Sequence, residues 1–387
     1  MRSTKNYLLI SPQPWGKMFL SKHNYAIELA KGGNTVYFLN PPTYKKSLAS
    51  ISIKVEQELP NVYVINYTLA MAVHIMRFKS RPAYDFIIRK SLISRLNGLA
   101  AFDEIWCFEP NIFSSFRPFA AKKKLLFLVD QYDNKTLKKL AESADGIATI
   151  STLILDFFNF TDKPKLLLNH GLNDTFASLA KAKLTNGFTS GVNQPVKAAY
   201  VGNLLQGNRV DYETLQTIIT QNSNVEFHFY GPYEEKDNTL GSTLSAGMQS
   251  FIEFLKVSGN VKLHGVIAQQ QMAAQMHSVD VFLTCYNYLT DYNRSSNCHK
   301  IIEYLSTGKA VVANRIMTYE KTTGLLEMPA EFTNENLPSL FRKVVESLDR
   351  FNSPDKQKAR MEFALENTYK KHIATISRFI NEPVVVA

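Results

Sequence analysis

The sequence predicts an α/β fold built from two doubly wound, Rossmann-like domains. Three observations lead there. Strand-length apolar runs recur in step with amphipathic helical stretches, the alternation expected of parallel α/β units. A chain of 387 residues is long for one core and sufficient for two. The rhythm also breaks once, over Ser178–Pro195, where a Gly-, Ser- and Thr-containing stretch shows no period, and then restarts.

In the first half, strands are expected in "NYLLIS", "NTVYFLN", "NVYVINY", "EIWCFE", "KLLFLVD", "GIATIS" and "PKLLLNH". The stretch "KMFLSKHNYAIELAKGG" has helical spacing and stops at Gly32 and Gly33, a suitable C-cap. In the second half, strands are expected in "VKAAYVGN", "VEFHFYG", "VKLHGV", "VDVFLTCYN" and "KAVVANR", separated by helices such as "DYETLQTIITQ" and "AQQQMAAQMHS". The tail "FALENTYKKHIATISRFINE" reads as helix. The expected division is a first domain over 1–177, a linker over 178–195, a second domain over 196–365 and a terminal helix over 366–387. Val-, Ile- and Leu-rich runs fit sheets covered on both faces. Ligands of such sheets bind beyond the carboxyl ends of the strands, so two sheets facing each other would share one cleft.

Composition narrows the function classes. Apolar residues make up 45% of the chain and charged residues 20%, which excludes wholesale disorder. The three cysteines, Cys107, Cys285 and Cys298, have no C-x-x-C spacing, so neither a disulfide framework nor a zinc knuckle is expected and a reducing cytoplasm is the natural setting. The opening "MRSTKNYLLISPQPW" lacks the apolar core of a secretory signal, and no window approaches the roughly 18 apolar residues of a spanning helix. A formal charge of +10 suits an anionic membrane surface or an anionic small substrate. Nucleic acid is not expected, because no basic stretch is interleaved with aromatics in a binding pattern.

The common phosphate signatures fail. No G-x-G-x-x-G follows the first strand, and "STGKAV" is not a Walker A loop, because Glu303 stands where that motif needs its first glycine. Instead, small residues follow the strands of the second half: Gly202 and Asn203, with Gly207 and Arg209 further along and Asp211 as a helix N-cap; Gly231 before Pro232; Gly265 before Val266. Each alone is also an ordinary turn. Lying at one end of one sheet, they would form a wall of one pocket. The richest stretch is "NRSSNCHKIIEYLSTGKAVVANR". A helix starting near Asn297 or Cys298 would point its positive dipole end at Arg294, Ser295, Ser296, Asn297, His299 and Lys300, a set of donors suited to a diphosphate. Glu303 is unsuited to phosphate but can accept two hydrogen bonds from the vicinal diol of a ribose. A capped core helix with solvated charges is the alternative.

These residues carry a resemblance. "HKIIEYLSTGKAVVA" resembles the "K-x-x-E-Y-L-A-x-G-K-P-V-V" segment of GT-B glycosyltransferases of the family 4 or group 1 type. "YVGNL", "NVKLHGVIAQQQMAAQMHSVDVFLTCY", "ADGIATISTLILDFF", "KLLLNHGLNDTF" and "ENTYKKHI" resemble further segments of that family, most clearly from Ala144 onward. The resemblance implies a GT-B fold, two Rossmann-like domains facing each other across a cleft, with the C-terminal helix crossing back to the first. It implies a nucleotide-diphosphate sugar as donor substrate, UDP- or GDP-linked, with retention of configuration, no metal and no further cofactor. Donor binding falls to Gly202, Asn203, Arg209, Gly231, Gly265, Val266, Ser295, Ser296, Asn297, His299, Lys300 and Glu303, with Glu303 on the ribose. Ser295 stands where fuller relatives carry an acid, so contacts to the sugar fall to Ser295, Ser296 or backbone groups.

The first domain should hold the acceptor, a glycan or a lipid-linked sugar. Trp15, Gly16, Lys17 and His23 follow its first strand, Glu109 and Asn111 a later one, and Asp130 and Asp133 the next. Glu109, Asp130, Lys300 and Arg294 are the expected catalytic groups. Between Arg77 and Arg95 six basic residues accompany one acid, Asp85, which suits peripheral contact with an anionic membrane, at the inner face if the chain is cytoplasmic. The expected activity is hexosyl transfer in bacterial surface polysaccharide synthesis. A GT-B nucleotide-sugar epimerase and a non-catalytic nucleotide- or sugar-binding subunit are the rival readings.

Overall fold

A computed structural model of the chain describes residues 4–16, 19–46, 51–132, 136–188, 192–205, 209–234, 236, 245–287, 290, 297–322 and 324–382. The chain divides into two compact units, Met1–Asn169 with Tyr369–Ala387, and His170–Thr368.

The first unit is built on a nine-stranded sheet. Its strands are β1 (Asn6–Ile10), β2 (Thr35–Leu39), β3 (Thr43–Lys45), β4 (Ser52–Leu59), β5 (Val62–Ala70), β6 (Phe102–Cys107), β7 (Ala121–Leu128), β8 (Gly146–Thr149) and β9 (Lys165–Leu167). They run in the order β3-β5-β2-β1-β6-β7-β8-β9, all parallel, with β4 added antiparallel to β5. The central strands finish in wholly buried runs, Leu8–Ile10, Ile105–Cys107 and Leu125–Leu128, because both faces of the sheet are covered. The sequence reading missed β3 and β4. β4 carries Lys54, Glu56, Gln57 and Glu58 among few apolar residues, the composition of a charged edge strand rather than a core run.

The helix Ser21–Lys31 joins β1 to β2 and ends where Gly32 and Gly33 predicted, with Gly33 at φ 83°. The helix Tyr369–Asn381 packs on it. Tyr25 meets Tyr369 edge-on at 4.8 Å, and its hydroxyl lies 3.0 Å from His372 Nδ1. The C-terminal helix is thus part of the first unit. The expected continuous tail helix is interrupted: Pro354–Glu366 is a separate helix of the second unit, and Thr368 between the two pairs with Leu172.

Among the described residues the second unit has five parallel strands, β10 (Val196–Val201), β11 (Val225–Tyr230), β12 (Val261–Gly265), β13 (Val281–Thr284) and β14 (Ala310–Ala313), in the order β12-β11-β10-β13-β14. Its crossovers include the helices Tyr212–Gln221, Ala246–Val257, Gln269–His277 and His299–Ser306. Arg360, fully buried, donates to the carbonyls of Gly308, Leu325 and Phe351 at 3.2, 3.1 and 2.8 Å, tying the helix Pro354–Glu366 to the chain on either side of β14.

The linker expected over 178–195 is corrected for its first half. Residues Asp174–Asn186 form a helix capped by Asn173, whose Oδ1 accepts the Phe176 N–H. Phe176, Ala177 and Ala180 bury one stripe of it against helices of the second unit, and this packing outweighs the polar texture. The division therefore falls at Asn169/His170, before the expected boundary, and again at Thr368/Tyr369.

His23 and His372 in the first unit are both held by burial at a pKa of about 4. An unfolded histidine titrates near 6.5, so the unfolded chain takes up protons first as the pH falls. The stability these neutral rings contribute is complete above about pH 6.5 and is lost toward pH 4. Urea unfolding followed by tryptophan fluorescence reads this unit alone, since Trp15 and Trp106 are the only tryptophans. It should show a loss of about 2 kcal/mol per histidine between pH 7 and 5, and His372→Gln should flatten that slope.

Candidate functional site

The chain leaving β10 and β11 and the last residue of β12, Gly265, are linked by backbone hydrogen bonds across the carboxyl edge of the second sheet. The Gly202 N–H donates to the Tyr230 carbonyl at 2.9 Å, the Gly231 N–H to the Gly265 carbonyl at 2.8 Å, and the Leu204 N–H to the Pro232 carbonyl at 3.0 Å. The ladder thus runs past the strand ends and brings the loops into contact. Gly231 has φ 132°, and a Cβ there would lie 2.1 Å from the Gly202 carbonyl oxygen. Only glycine fits. Asn203 stabilises the turn that follows, its Oδ1 accepting the Leu205 N–H at 2.7 Å. Val266 lies exposed just beyond β12.

The loop after β10 is also tied to the chain leaving β13. Val210 pairs antiparallel with Tyr286, the Asp211 N–H donates to the Cys285 carbonyl at 3.0 Å, and the Asn287 N–H donates to the Arg209 carbonyl at 2.8 Å. The Arg209 side chain is exposed beside this junction. Asp211 caps its helix as expected, accepting the Thr214 N–H at 3.1 Å, and also holds Asn334 at 2.9 Å.

The helix His299–Ser306 follows at the same edge. Ile301, Ile302, Tyr304 and Leu305 bury one face of it. Tyr304 fixes its place: the ring stacks on Phe282 at 4.3 Å, and the hydroxyl accepts the N–H of Val201, the last residue of β10, at 2.8 Å. Cys298 stands at the N-cap of this helix in an extended conformation, φ -103° and ψ 123°. On the half-buried face, Lys300 Nζ donates to Glu303 Oε2 at 3.0 Å. The two residues expected to take different parts of a nucleotide are thus paired with each other. Asn297 is buried, and His299 is exposed with its ring edge-on to His170 at 5.8 Å.

The carboxyl edge of the first sheet carries a separate polar set. The Glu109 carboxylate accepts the Asn111 N–H at 2.7 Å, Asp130 is exposed beyond β7, and the Asn111 carbonyl receives Arg81 at 3.0 Å. Trp15 donates its N–H to Asn40 Oδ1 at 2.8 Å and packs against Phe38, while Gly16 is exposed. His23 requires a correction as an acceptor-binding residue. It is fully buried, receives the Leu20 N–H at Nδ1 at 3.0 Å, lies 3.1 Å from the Pro14 carbonyl through Nε2 and stacks on Phe38, so both nitrogens serve the fold.

Sequence reasoning missed Lys22. It lies on the inward face of its helix with Tyr25, Ala26 and Leu29, and is buried. Burial lowers its pKa to about 8, against the opposing pull of Asp130 and Glu109. A lysine in register with an apolar stripe was the available signal. Lys17, Asp133, Gly207, Arg294, Ser295 and Ser296 lie outside the described residues. Among the described residues, no three His, Cys, Asp or Glu side chains are placed to hold a metal ion.

No protein-family model matches the sequence, and no curated protein matches it. Solved structures resemble it along nearly its whole length. Sucrose-phosphate synthase from Thermosynechococcus elongatus matches with a TM-score of 0.67 at 13% identity, over 97% of this chain and 98% of that one. The E. coli trehalose-6-phosphate structure bound with UDP-2-fluoro glucose matches at 0.67 and 12%, over 98% and 99%. A UDP-forming α,α-trehalose-phosphate synthase from Burkholderia xenovorans, in complex with glucose-6-phosphate, matches at 0.63 and 13%, over 97% and 99%. This likeness establishes the fold as GT-B, with two Rossmann-like units and parallel sheets.

Gly231→Ala should destabilise the second unit by about 2–4 kcal/mol, because a methyl group would displace the Gly202 carbonyl and occupy a strained φ. Gly247→Ala, in open space on a helix, should be neutral or stabilising by up to about 1 kcal/mol. Denaturant unfolding followed by circular dichroism distinguishes the two. Equal stability of both variants would contradict the close approach.

Proposed function

We propose that this chain is a glycosyltransferase that moves a hexose from a nucleoside-diphosphate sugar to a carbohydrate acceptor. One observation carries the reading. A helix N-terminus, a lysine and a carboxylate lie on one helix, which Tyr304 anchors to the strand end where the backbone ladder continues.

The parts have complementary roles. The helix N-terminus and Lys300 would receive the diphosphate, with Arg209, Arg294, Ser295 and Ser296 as further donors. The Lys300 ammonium has three protons and its pairing with Glu303 uses one. Glu303 Oε1 is the oxygen left to accept from a ribose diol. The ion pair holds both side chains on one face of the helix, so little reordering is needed on binding. Gly202 and Gly265 would allow close backbone approach. The reaction breaks the bond between the anomeric carbon and a diphosphate oxygen and forms one from that carbon to the acceptor oxygen, whose proton passes to the departing diphosphate, while the negative charge that develops there is stabilised by Lys300 and the helix dipole.

The acceptor falls to the carboxyl edge of the first sheet, with Glu109 and Asp130 beside the acceptor hydroxyl and Trp15, Gly16 and Asn111 around it. A UDP-linked donor is favoured, since solved relatives of the fold are described as UDP-forming and as bound with UDP-2-fluoro glucose. Retention of configuration, independence of metal, and a place in bacterial surface polysaccharide synthesis at the cytoplasmic side of a membrane complete the reading, as the sequence resemblance implies. A glycan or lipid-linked acceptor is proposed. A sugar phosphate is the second reading, favoured by the glucose-6-phosphate complex of one relative and by the buried Lys22 on the helix after β1.

The test is release of nucleoside diphosphate from a panel of nucleotide sugars, run without acceptor, with glucose 6-phosphate, and with lipid-linked acceptors. Acceptor-dependent release supports transfer, acceptor-free isomerisation of the sugar indicates an epimerase, and binding without turnover indicates a non-catalytic subunit. Glu303→Ala should raise the donor KM on the order of 10- to 100-fold, through loss of hydrogen bonds to a charged acceptor group. Lys300→Met should lower kcat on the order of 100-fold. Unchanged kinetics in both variants would overturn the donor-site assignment.

A further inference from the structure

The helix Met71–Lys79 in the first unit buries none of its nine residues, although six of them, Met71, Ala72, Val73, Ile75, Met76 and Phe78, are apolar. Val73 and Met76 rest partly on the core below. Ile75 and Phe78 point outward, 46% and 73% exposed. The next helix, Arg81–Ile88, buries Tyr84 and Ile88 and leaves Phe86 63% exposed. The two helices pack on each other, so the exposed apolar residues belong to one helical pair. Isolated surface apolars need no explanation, but a helix this apolar with no buried residue does.

Charge says what the pair would face. Lys79, Arg89, Lys90 and Arg95 are exposed, and Arg77 lies over the Phe78 ring at 5.4 Å. β3, which packs on the first of these helices, ends in exposed Lys45 and is followed by exposed Lys46. The single acid of the segment is neutralised, Asp85 being held by Arg81 at 2.9 Å and by the Ser114 hydroxyl at 2.5 Å. Among the described residues, no carboxylate pairs with Arg77, Lys79, Arg89 or Lys90.

We propose that the helical pair 71–90 docks the first unit on an anionic lipid bilayer, with Ile75, Phe78 and Phe86 entering the headgroup region and the surrounding lysines and arginines contacting lipid phosphates. Two aromatic rings and an isoleucine give shallow insertion, and the basic residues add attraction confined to anionic lipid. Neither signal suffices alone, so binding is reversible and needs both. A second copy of the chain fits less well, because a two-fold contact would set one basic patch against another. No helix among the described residues is long and apolar enough to cross a membrane, so any attachment through these helices is peripheral. The inference does not depend on the donor-site assignment and can fail separately from it.

Co-sedimentation of the full chain with large unilamellar vesicles in about 0.1 M salt tests it. Vesicles of phosphatidylcholine with about one-third phosphatidylglycerol should bind the protein at least tenfold more strongly than pure phosphatidylcholine, and about 0.5 M salt should abolish most of that difference. F78S/F86S should bind the anionic vesicles at least tenfold more weakly, and K79E/R89E/K90E likewise, both with the melting temperature of the parent, since every substituted side chain is exposed. Absence of binding to anionic vesicles, or unaltered binding by F78S/F86S, would overturn the proposal. So would a dimer in sedimentation velocity that F78S/F86S dissolves while vesicle binding persists, since the face would then be a contact between copies.

Discussion

Where a side chain would stand on Gly231, the carbonyl oxygen of Gly202 already stands, 2.1 Å from the ideal Cβ position. This close approach fixes the carboxyl edge of the second sheet. It lets the ladder between β10, β11 and β12 continue past the strand ends and determines where the following loops leave the sheet. Any other residue there would pay both a steric clash and the strain of a left-handed φ, on the order of 1–3 kcal/mol for the backbone alone. The loops at this edge are therefore held by backbone hydrogen bonds between them, to which side chains such as Asn203 add. A loop held in that way keeps a fixed backbone surface, which suits a bound group recognised through main-chain donors.

The His299–Ser306 helix is held to that edge by different means. Tyr304 contributes a stacked ring and a buried hydroxyl bonded to the backbone of Val201, so the helix end and the strand end move as one piece. Glu303 and Lys300 neighbour this anchor and inherit its rigidity. Their mutual pairing screens each charge in the half-buried setting and leaves hydrogen-bonding capacity on both. The first unit shows a related feature: Lys22 sits on the inward face of the helix after β1 with Tyr25, Ala26 and Leu29, within the electrostatic reach of Asp130 and Glu109. Charges kept at such positions against their desolvation cost mark candidate functional sites. Arg360 is the contrasting case, since its partners are backbone carbonyls of the fold itself.

Much of the fold was legible in the sequence because buried parallel strands write themselves as unbroken apolar runs. Every stretch read as a strand, from "NYLLIS" to "KAVVANR", contains one, including "VKLHGV", which is broken by polar residues. The missed elements lack that signature. β4 is a charged edge strand, and the helix Asp174–Asn186 shows only Phe176, Ala177 and Ala180 to the core, a stripe too small to stand out from its polar neighbours. At the candidate site, the glycines were legible by position, Gly202 and Gly231 directly after a strand and Gly265 as the last residue of one. What no spacing could show was pairing through space: Lys300 with Glu303, Tyr304 with Val201, or the two backbone contacts that turn His23 from a candidate ligand contact into a core residue. The exposure of Phe78 and Phe86 was equally hidden, since an amphipathic pattern does not say which face finds a partner.

The central claim is that the carboxyl edge of the second sheet is built to hold a nucleoside diphosphate. Its most direct test is thermal unfolding of the unmodified chain in the presence of uridine, guanosine and adenosine diphosphates. A ligand at one hundred times its Kd contributes about 2.7 kcal/mol to the folded state. The account predicts that at least one of the three, uridine diphosphate foremost, raises the Tm by several degrees in a concentration-dependent way. No shift with any of them at millimolar concentration would contradict it.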